Sequence, residues 1–327
     1  MDLIEREIKK IEKAIDKIFQ ENINLDTIRK QLKLFNDGVK VPVLVRPCTI
    51  SDGIIQINPN EFDSLLKLHS EAAEKGRLMK FVPASGAASR MFQKLLSVLN
   101  ENDELDLIAL KKLAEEDKNY KAAYDLLTNI NQFAFYDDIK SFLKVNDSEL
   151  TEIISNQPFK VLKVLLFEHG LNYASKPKGA IKFHKYENEY RTAFEEHIYE
   201  SINYLLDNSK QIKIHFTISE EHQGLFTNII NEFKKKLKKD FKVIHSHSFQ
   251  KKSTDTVAVN ENNEILFDKT GNIIMRPGGH GALIENLNDL NADIVIIKNI
   301  DNLSVEPLAE ETVFYKKLLT GYLIQIQ

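Results

Sequence analysis

The sequence predicts an α/β fold: a mixed, mainly parallel sheet covered by helices, with an inserted helical subdomain and an N-terminal helix. Three observations carry this. β-rich runs alternate with helical runs from residue 179 onward, the pattern of parallel strands joined by crossover helices. Residues 93–172 hold no strand-like run, only Leu, Ile, Phe and Tyr at helical spacing between polar breaks such as VNDSE and SNQP. The chain also begins with Ile4, Ile8, Ile11, Ile15, Ile18 and Phe19 recurring among Lys and Glu, the apolar stripe of an amphipathic helix.

In chain order, VKVPVLVRPCTI after Gly38 is extended, β-rich and broken by proline, and GIIQI is a further short apolar run. Residues 61–75 read as a helix, and MKFV, 79–82, as a strand that breaks into a loop of small residues. Beyond the helical stretch, where Tyr and Phe along 120–142 read as core, come the strand GAIKFHKY and a helix over 189–206. The strand QIKIHFTIS, a helix over 220–237 and the strands FKVIHSHSF and EILFD follow, then a helix around 282–290 and the strand ADIVIIKNID. These elements place 1–78 as an N-terminal helix and short strands packing on the core, 79–92 and 175–327 as the α/β domain, and 93–174 as a helical insertion.

At 327 residues and 43% hydrophobic, the chain can bury a full-sized core and reads as a soluble globular protein. Its 44 Lys plus Arg against 48 Asp plus Glu give a formal charge of −4. No global basic field therefore draws it to nucleic acid or an anionic membrane, and any anion site must be local. KKKLKKD, 234–240, lies near the end of a helix where lysines suit the dipole and solvent, so it does not add a nucleic-acid partner. The lone Cys48 excludes an internal disulfide and a Cys-based zinc cluster, which suits a reducing compartment. MDLIEREIKK contains neither a secretory signal nor a membrane span, and the expected location is cytoplasmic.

Ligands of open α/β sheets bind beyond the carboxyl ends of strands, and four loops of this chain fall there. In PASGAASR, Ser85, Gly86, Ala87, Ala88 and Ser89 carry little side-chain bulk, so backbone N–H groups can approach an anion, and Arg90 can add a bidentate phosphate contact. A strand-to-helix turn that needs small residues for packing explains the loop equally well. SKPKG sets Lys176 and Lys178 around a stiffening proline, either as phosphate partners or as an ordinary solvated pair. RPGGHGALIENL groups glycines around His280, open to a flat ligand or needed for a positive-φ turn. VIIKNIDNL delivers Asp301 to a strand end, where its carboxylate suits Mg²⁺ or, more simply, starts a turn. His245 and His247 share one face of a strand and read as a metal pair or, more simply, as strand histidines.

In this order PASGAASR, KPKG, HFTIS, HSFQ, GGHGALIENL and KNIDN resemble the motifs of the eukaryotic-type nucleotide-sugar pyrophosphorylases, over about residues 79–305. More narrowly, the chain resembles the domain-of-unknown-function 4301 proteins (DUF4301). The resemblance implies a Rossmann-like sheet of the nucleotide-diphospho-sugar transferase type and a Mg²⁺-dependent nucleotidyltransferase joining an NTP, with UTP favoured, to a sugar 1-phosphate. It implies that Ser85, Gly86, Ala87, Ala88, Ser89 and Arg90 cradle the phosphates, that Lys178 offsets their charge, and that Asp301 binds Mg²⁺. It further implies that Gln250 contacts the base, with Gly279 and His280 against the nucleotide. Three departures stand beside it: Ser85-Gly86-Ala87-Ala88 where the family usually has Gly-Gly-x-Gly, the long stretch between Arg90 and Lys178, and an end at Gln327 that implies a truncated chain. The departures favour, as the alternative, a catalytically silent nucleotide-binding or scaffold protein of the same fold. A kinase-like or phosphatase-like α/β enzyme is the third reading.

Overall fold

The structure, a computed structural model, describes residues 3–12, 25–102, 104–237 and 241–327. It divides into two compact units, one of Met1–Lys67 with Ser248–Asn291 and one of Leu68–His247 with Ala292–Gln327.

The first unit is built on two helices, Leu3–Glu12 and Leu25–Asp37. Ile8, Ile28 and Leu32 are buried with Val257 and Ile265. Ile15, Ile18, Phe19 and the Ile11 side chain lie outside the described residues. Two polar side chains fasten this core: the Gln31 amide donates to Asp255 O at 3.0 Å and accepts from Val257 N–H at 2.9 Å, and buried Glu7 accepts from Ile265 N–H at 3.1 Å. The run after Gly38 forms strand only at Thr49–Ile50 and Gly53–Ile54. Val41, Val43, Leu44 and Val45 are 83–90% exposed, as expected where Pro42 and Pro47 deny a ladder its donors. EILFD gives isolated bridges, Val259 with Ile265 and Phe267 with Ile273, rather than a full strand. The reason is local: Asn260 and Asp268 close side-chain turns on Asn262 and Thr270, leaving too few residues between turns for a ladder.

The second unit holds the α/β sheet. A helix over Phe62–Glu74, α1, leads into β1 (Leu78–Pro83). Six helices then follow without a strand: α2 (Gln93–Glu101), α3 (Leu107–Ala114), α4 (Lys118–Thr128), α5 (Tyr136–Leu143), α6 (Asp147–Asn156) and α7 (Pro158–Leu166). Their boundaries are written in the sequence. Asp106 and Asp117 accept from the first turns of α3 and α4, Asn146 and Glu149 form a capping box on α6, and Pro158 opens α7. Leu110, Ala123, Ile139, Leu150, Leu162 and Leu165 bury against one another. Tyr120 and Phe135 join that core, whereas Phe142 is 46% exposed on the outer face of its helix.

The chain returns through a hairpin of β2 (Lys182–Lys185) and β3 (Tyr190–Thr192), then α8 (Ala193–Leu205), β4 (Gln211–Ile218), α9 (Gln223–Lys236) and β5 (Lys242–Phe249). After the excursion through the first unit come β6 (Ile294–Ile297) and α10 (Ala309–Ile326). The sheet order is β6-β1-β4-β5, and the β6–β1 and β1–β4 pairs are parallel. This is the mixed α/β, mainly parallel arrangement that the alternation of runs predicts. From β1 the chain builds outward to β4 and β5, then crosses back to place β6 on the other flank. The switch point of the sheet therefore lies between β1 and β6. The final helix is not announced by its pattern, because apolar residues lie on all its sides. No helix among the described residues is long and apolar enough to cross a membrane.

Candidate active site

β1 ends in a loop that is tied on both sides. Ala84 N–H donates to Thr217 O at 2.8 Å, prolonging the ladder with β4. Ala88 N–H donates to Lys176 O at 3.0 Å and Lys178 N–H to Gly86 O at 3.1 Å, a bridge that pairs Ala87 with Pro177. The small-residue loop and the SKPKG segment are thus one piece of backbone architecture, although the whole helical stretch separates them in sequence. A single 3-10 turn, Ala88–Arg90, follows. Gly86, Ala87 and Ser89 keep N–H groups without an acceptor among the described residues, and Arg90 stands exposed there with no ion pair.

The two glycines of this piece differ in what they do. A methyl group built on Gly86 meets nothing within 4 Å, so packing does not demand glycine at that position. One built on Gly179 comes within 2.4 Å of the Phe194 ring, so the glycine of the KPKG run is there for close packing against α8.

On the other side of the switch point, the chain beyond β6 stays bonded to β1. Lys298 N–H donates to Phe81 O at 3.1 Å and Ile300 N–H to Pro83 O at 3.3 Å, and Asn302 N–H closes a turn on Asn299 O at 3.1 Å. Asp301 rides on that turn. Its carboxylate accepts the Lys178 ammonium, with the two side chains 42% and 17% exposed. Lys176 is no freely solvated partner: its ammonium lies 5.2 Å from the centre of the Tyr173 ring, and burial pushes its pKa down. The structure therefore brings together the 85–90 loop, Lys178 and Asp301 at the carboxyl ends of β1 and β6.

A divalent cation fits this place only in company. Among the described residues no group of three or more His, Cys, Asp or Glu side chains is set to hold a metal. Asp301 supplies one hard oxygen ligand, the number Mg²⁺ commonly takes from a protein when phosphate oxygens and water complete its octahedron. The His245 and His247 rings instead face Phe226, at 6.3 and 5.4 Å between centroids.

The remaining predicted residues lie in the first unit. With its amide oriented to satisfy both atoms, Gln250 donates to Gly278 O at 3.2 Å and accepts from Gly278 N–H at 2.8 Å. Gly278 is a packing position, since an added methyl group meets Ala282 Cβ at 2.8 Å and Thr254 O at 2.9 Å. Gly279 and Gly281 face open space, and none of these three glycines has positive φ, so a left-handed turn is not what the run encodes. His280 opens a 3-10 turn, His280–Leu283, and is exposed.

Sequence reasoning missed a buried charge cluster beneath the β1 and β6 ends: Lys80, Glu200, Lys298 and Lys316. Its signal was present, since Lys80 interrupts MKFV and Lys298 closes VIIK, each a charge inside an otherwise apolar strand run.

The uridine diphosphate N-acetylglucosamine pyrophosphorylase from Trypanosoma brucei, solved in complex with inhibitor, is similar at 14% identity and a TM-score of 0.46, over 92% of this chain and 45% of that one. The chain thus spans less than half the length of that protein. No curated protein matches the chain. The sequence model of one family, described as "Domain of unknown function (DUF4301)", matches residues 11–327, and the chain belongs to that family.

Proposed function

We propose that the chain is a nucleotidyltransferase of the pyrophosphorylase type, joining an NTP, with UTP favoured, to a sugar 1-phosphate. One observation carries the reading: a backbone loop with open N–H groups and a Lys178–Asp301 ion pair meet across the switch point between β1 and β6, where open α/β sheets bind their ligands. On this reading 79–92 and 175–327 form the catalytic fold, 93–174 is an insertion, and 1–78 is an N-terminal accessory. The order of the PASGAASR, KPKG and KNIDN runs supports it.

The reaction asks little covalent work of the protein. An oxygen of the sugar 1-phosphate attacks the α-phosphorus in line, the new P–O bond forms as the bond to the β-phosphate oxygen breaks, and pyrophosphate departs with its charge. Ser85, Gly86, Ala87 and Ser89 orient the phosphates through the loop backbone, Ala88 being engaged by Lys176 O, and Arg90 neutralises the departing pyrophosphate. Lys178 stabilises charge at the α-phosphorus. Asp301 would hold Mg²⁺, which when bound screens phosphate charge and polarises the P–O bond. Gln250, Gly279 and His280 are assigned to the base and nucleotide.

A second reading, a nucleotide-binding or scaffold protein without turnover, draws on Ala88: its N–H is engaged by Lys176 O and is withdrawn from any phosphate. Thermal shift separates the readings. UTP, ATP, GTP and CTP are titrated with and without Mg²⁺ into wild type, Arg90→Ala and Asp301→Ala, followed by a pyrophosphate-release assay with sugar 1-phosphates. A Mg²⁺-dependent UTP shift lost in both variants, together with release, supports the transferase. A shift without release supports the silent binder, and no shift with any NTP rejects both.

A further inference from the structure

Three lysines converge on one carboxylate beneath the candidate site. Glu200, on α8, accepts from Lys80 at 2.9 Å, from Lys298 at 2.8 Å and from Lys316 at 2.9 Å. The lysines come from β1, from the residue after β6 and from α10. Lys80 is wholly buried and also donates to His197 O at 3.0 Å. Stability alone does not account for such an arrangement, because well-packed apolar residues fill a buried ion cluster's volume without its desolvation cost.

Its position does account for it. Lys80 lies on the strand that delivers the small-residue loop, and Lys298 directly precedes the 299–302 turn that carries Asp301. His197 Nε2–H donates to Ile300 O at 3.1 Å within that turn. One helix, α8, therefore grips both strand ends from the same face of the sheet. We propose that Glu200 is a positioning residue: by pairing Lys80 and Lys298 together it fixes the exit of β1 relative to the 299–302 turn, and so the place of Asp301 beside Lys178. The proposal rests on the reading of Lys178 and Asp301 as the reacting-site pair.

The cluster also responds to protons. The groups facing Lys80 are Glu200, His197 and Tyr204 from α8, Lys298 from the β6 end and Lys316 from α10. Burial pushes the Lys80 ammonium down to about 7, with Glu200 raising it and Lys316 and Lys298 lowering it. The folded chain therefore sheds a proton near neutrality that the unfolded chain keeps to its ordinary 10.5, and the folded state gains stability over the unfolded one as pH rises from 7.

The test is amide hydrogen exchange on the full chain, as protection factors at pH 6 to 9, for wild type, Glu200→Gln and Lys80→Met, beside UTP·Mg²⁺ thermal shift. Glu200→Gln is expected to lower protection at 298, 300 and 302 by about tenfold while α3 to α6 keep theirs. Wild-type protection at those amides should rise by roughly threefold or more between pH 7 and 9, and Lys80→Met should flatten that rise. If Glu200→Gln does not fold, the pH profile of Lys80→Met decides. Unchanged protection at 298–302, an even loss through every helix, or equal UTP affinity in wild type and Glu200→Gln overturns the proposal. A wild type that ignores UTP while its exchange behaves as expected rejects the nucleotide reading and leaves the positioning role standing.

Discussion

Lys178 and Asp301 form an ion pair between segments 123 positions apart in sequence, with Asp301 open to solvent and Lys178 partly so. A pair this exposed contributes about 0–1 kcal/mol to stability. Its placement at the strand ends therefore says more about a ligand than about the fold. Lys178→Met and Asp301→Asn are each expected to unfold in urea within about 1 kcal/mol of wild type. Both should lose the Mg²⁺-dependent UTP shift. Variants that unfold far more easily would make the pair structural instead.

Gly86 and Gly179 make opposite predictions. Gly179→Ala drives a methyl group into the Phe194 ring, at 2.4 Å in the unrelaxed structure, and should cost about 1–3 kcal/mol. Gly86→Ala enters open space, so its urea midpoint should stay within about 0.5 kcal/mol of wild type. If the loop backbone cradles phosphate, Gly86→Ala nonetheless weakens inorganic pyrophosphate binding. Isothermal titration with pyrophosphate reads the second effect and chemical denaturation the first.

Glu200 contributes to how stability depends on pH. Burial alone raises its carboxyl, but attraction to Lys80, Lys316 and Lys298 outweighs that and holds it well below the usual carboxylate range. A carboxyl lowered in the folded state adds stability at neutral pH that is lost as acid protonates it, below its ordinary 4.5. Lys80 is lowered too, so between about 7 and 10.5 the unfolded chain binds the extra proton and stability rises with pH. Urea midpoints should climb from pH 7 to 9 and fall below pH 4.5. Glu200→Gln leaves buried Lys80 and Lys298 and partly buried Lys316 without their carboxylate and should cost about 3–5 kcal/mol, and Lys80→Met should reduce the rise above pH 7.

The fold was legible wherever a local pattern decides it. Alternating apolar runs marked β1, β4, β5 and β6, and Asp106, Asp117, Asn146 and Pro158 punctuated the helical stretch. Family membership was legible in the order of the motif runs. Three things escaped the run pattern. The strand after Gly38 needs a partner that its prolines deny. EILFD is a short apolar run of strand type but is cut short by the Asn260 and Asp268 side-chain turns. α10 lacks a polar face, so periodicity had nothing to measure. Within the site, Lys178 and Asp301 stood out in their loops, but their pairing depends on the β6–β1 register. Glu200, inside an ordinary helical run, gave no sign that three lysines would find it.

The Gln250 amide has two claimants. Oriented to satisfy both its atoms, it exchanges a pair of hydrogen bonds with the Gly278 backbone, at 3.2 and 2.8 Å. The proposed function asks the same amide to contact a nucleobase. Gln250→Ala deletes both backbone bonds and should cost about 1–3 kcal/mol. Gln250→Glu keeps the acceptor for Gly278 N–H but sets a carboxylate oxygen against Gly278 O, so it should be no more stable than the alanine variant. Denaturation midpoints in the order wild type, then Gln250→Ala, then Gln250→Glu make Gln250 a scaffold for the glycine run, with Gly279 and His280 left to meet the base. If Gln250→Glu instead keeps wild-type stability and changes which NTP shifts the melting temperature, the amide is available to the base and the Gly278 bonds give way on binding.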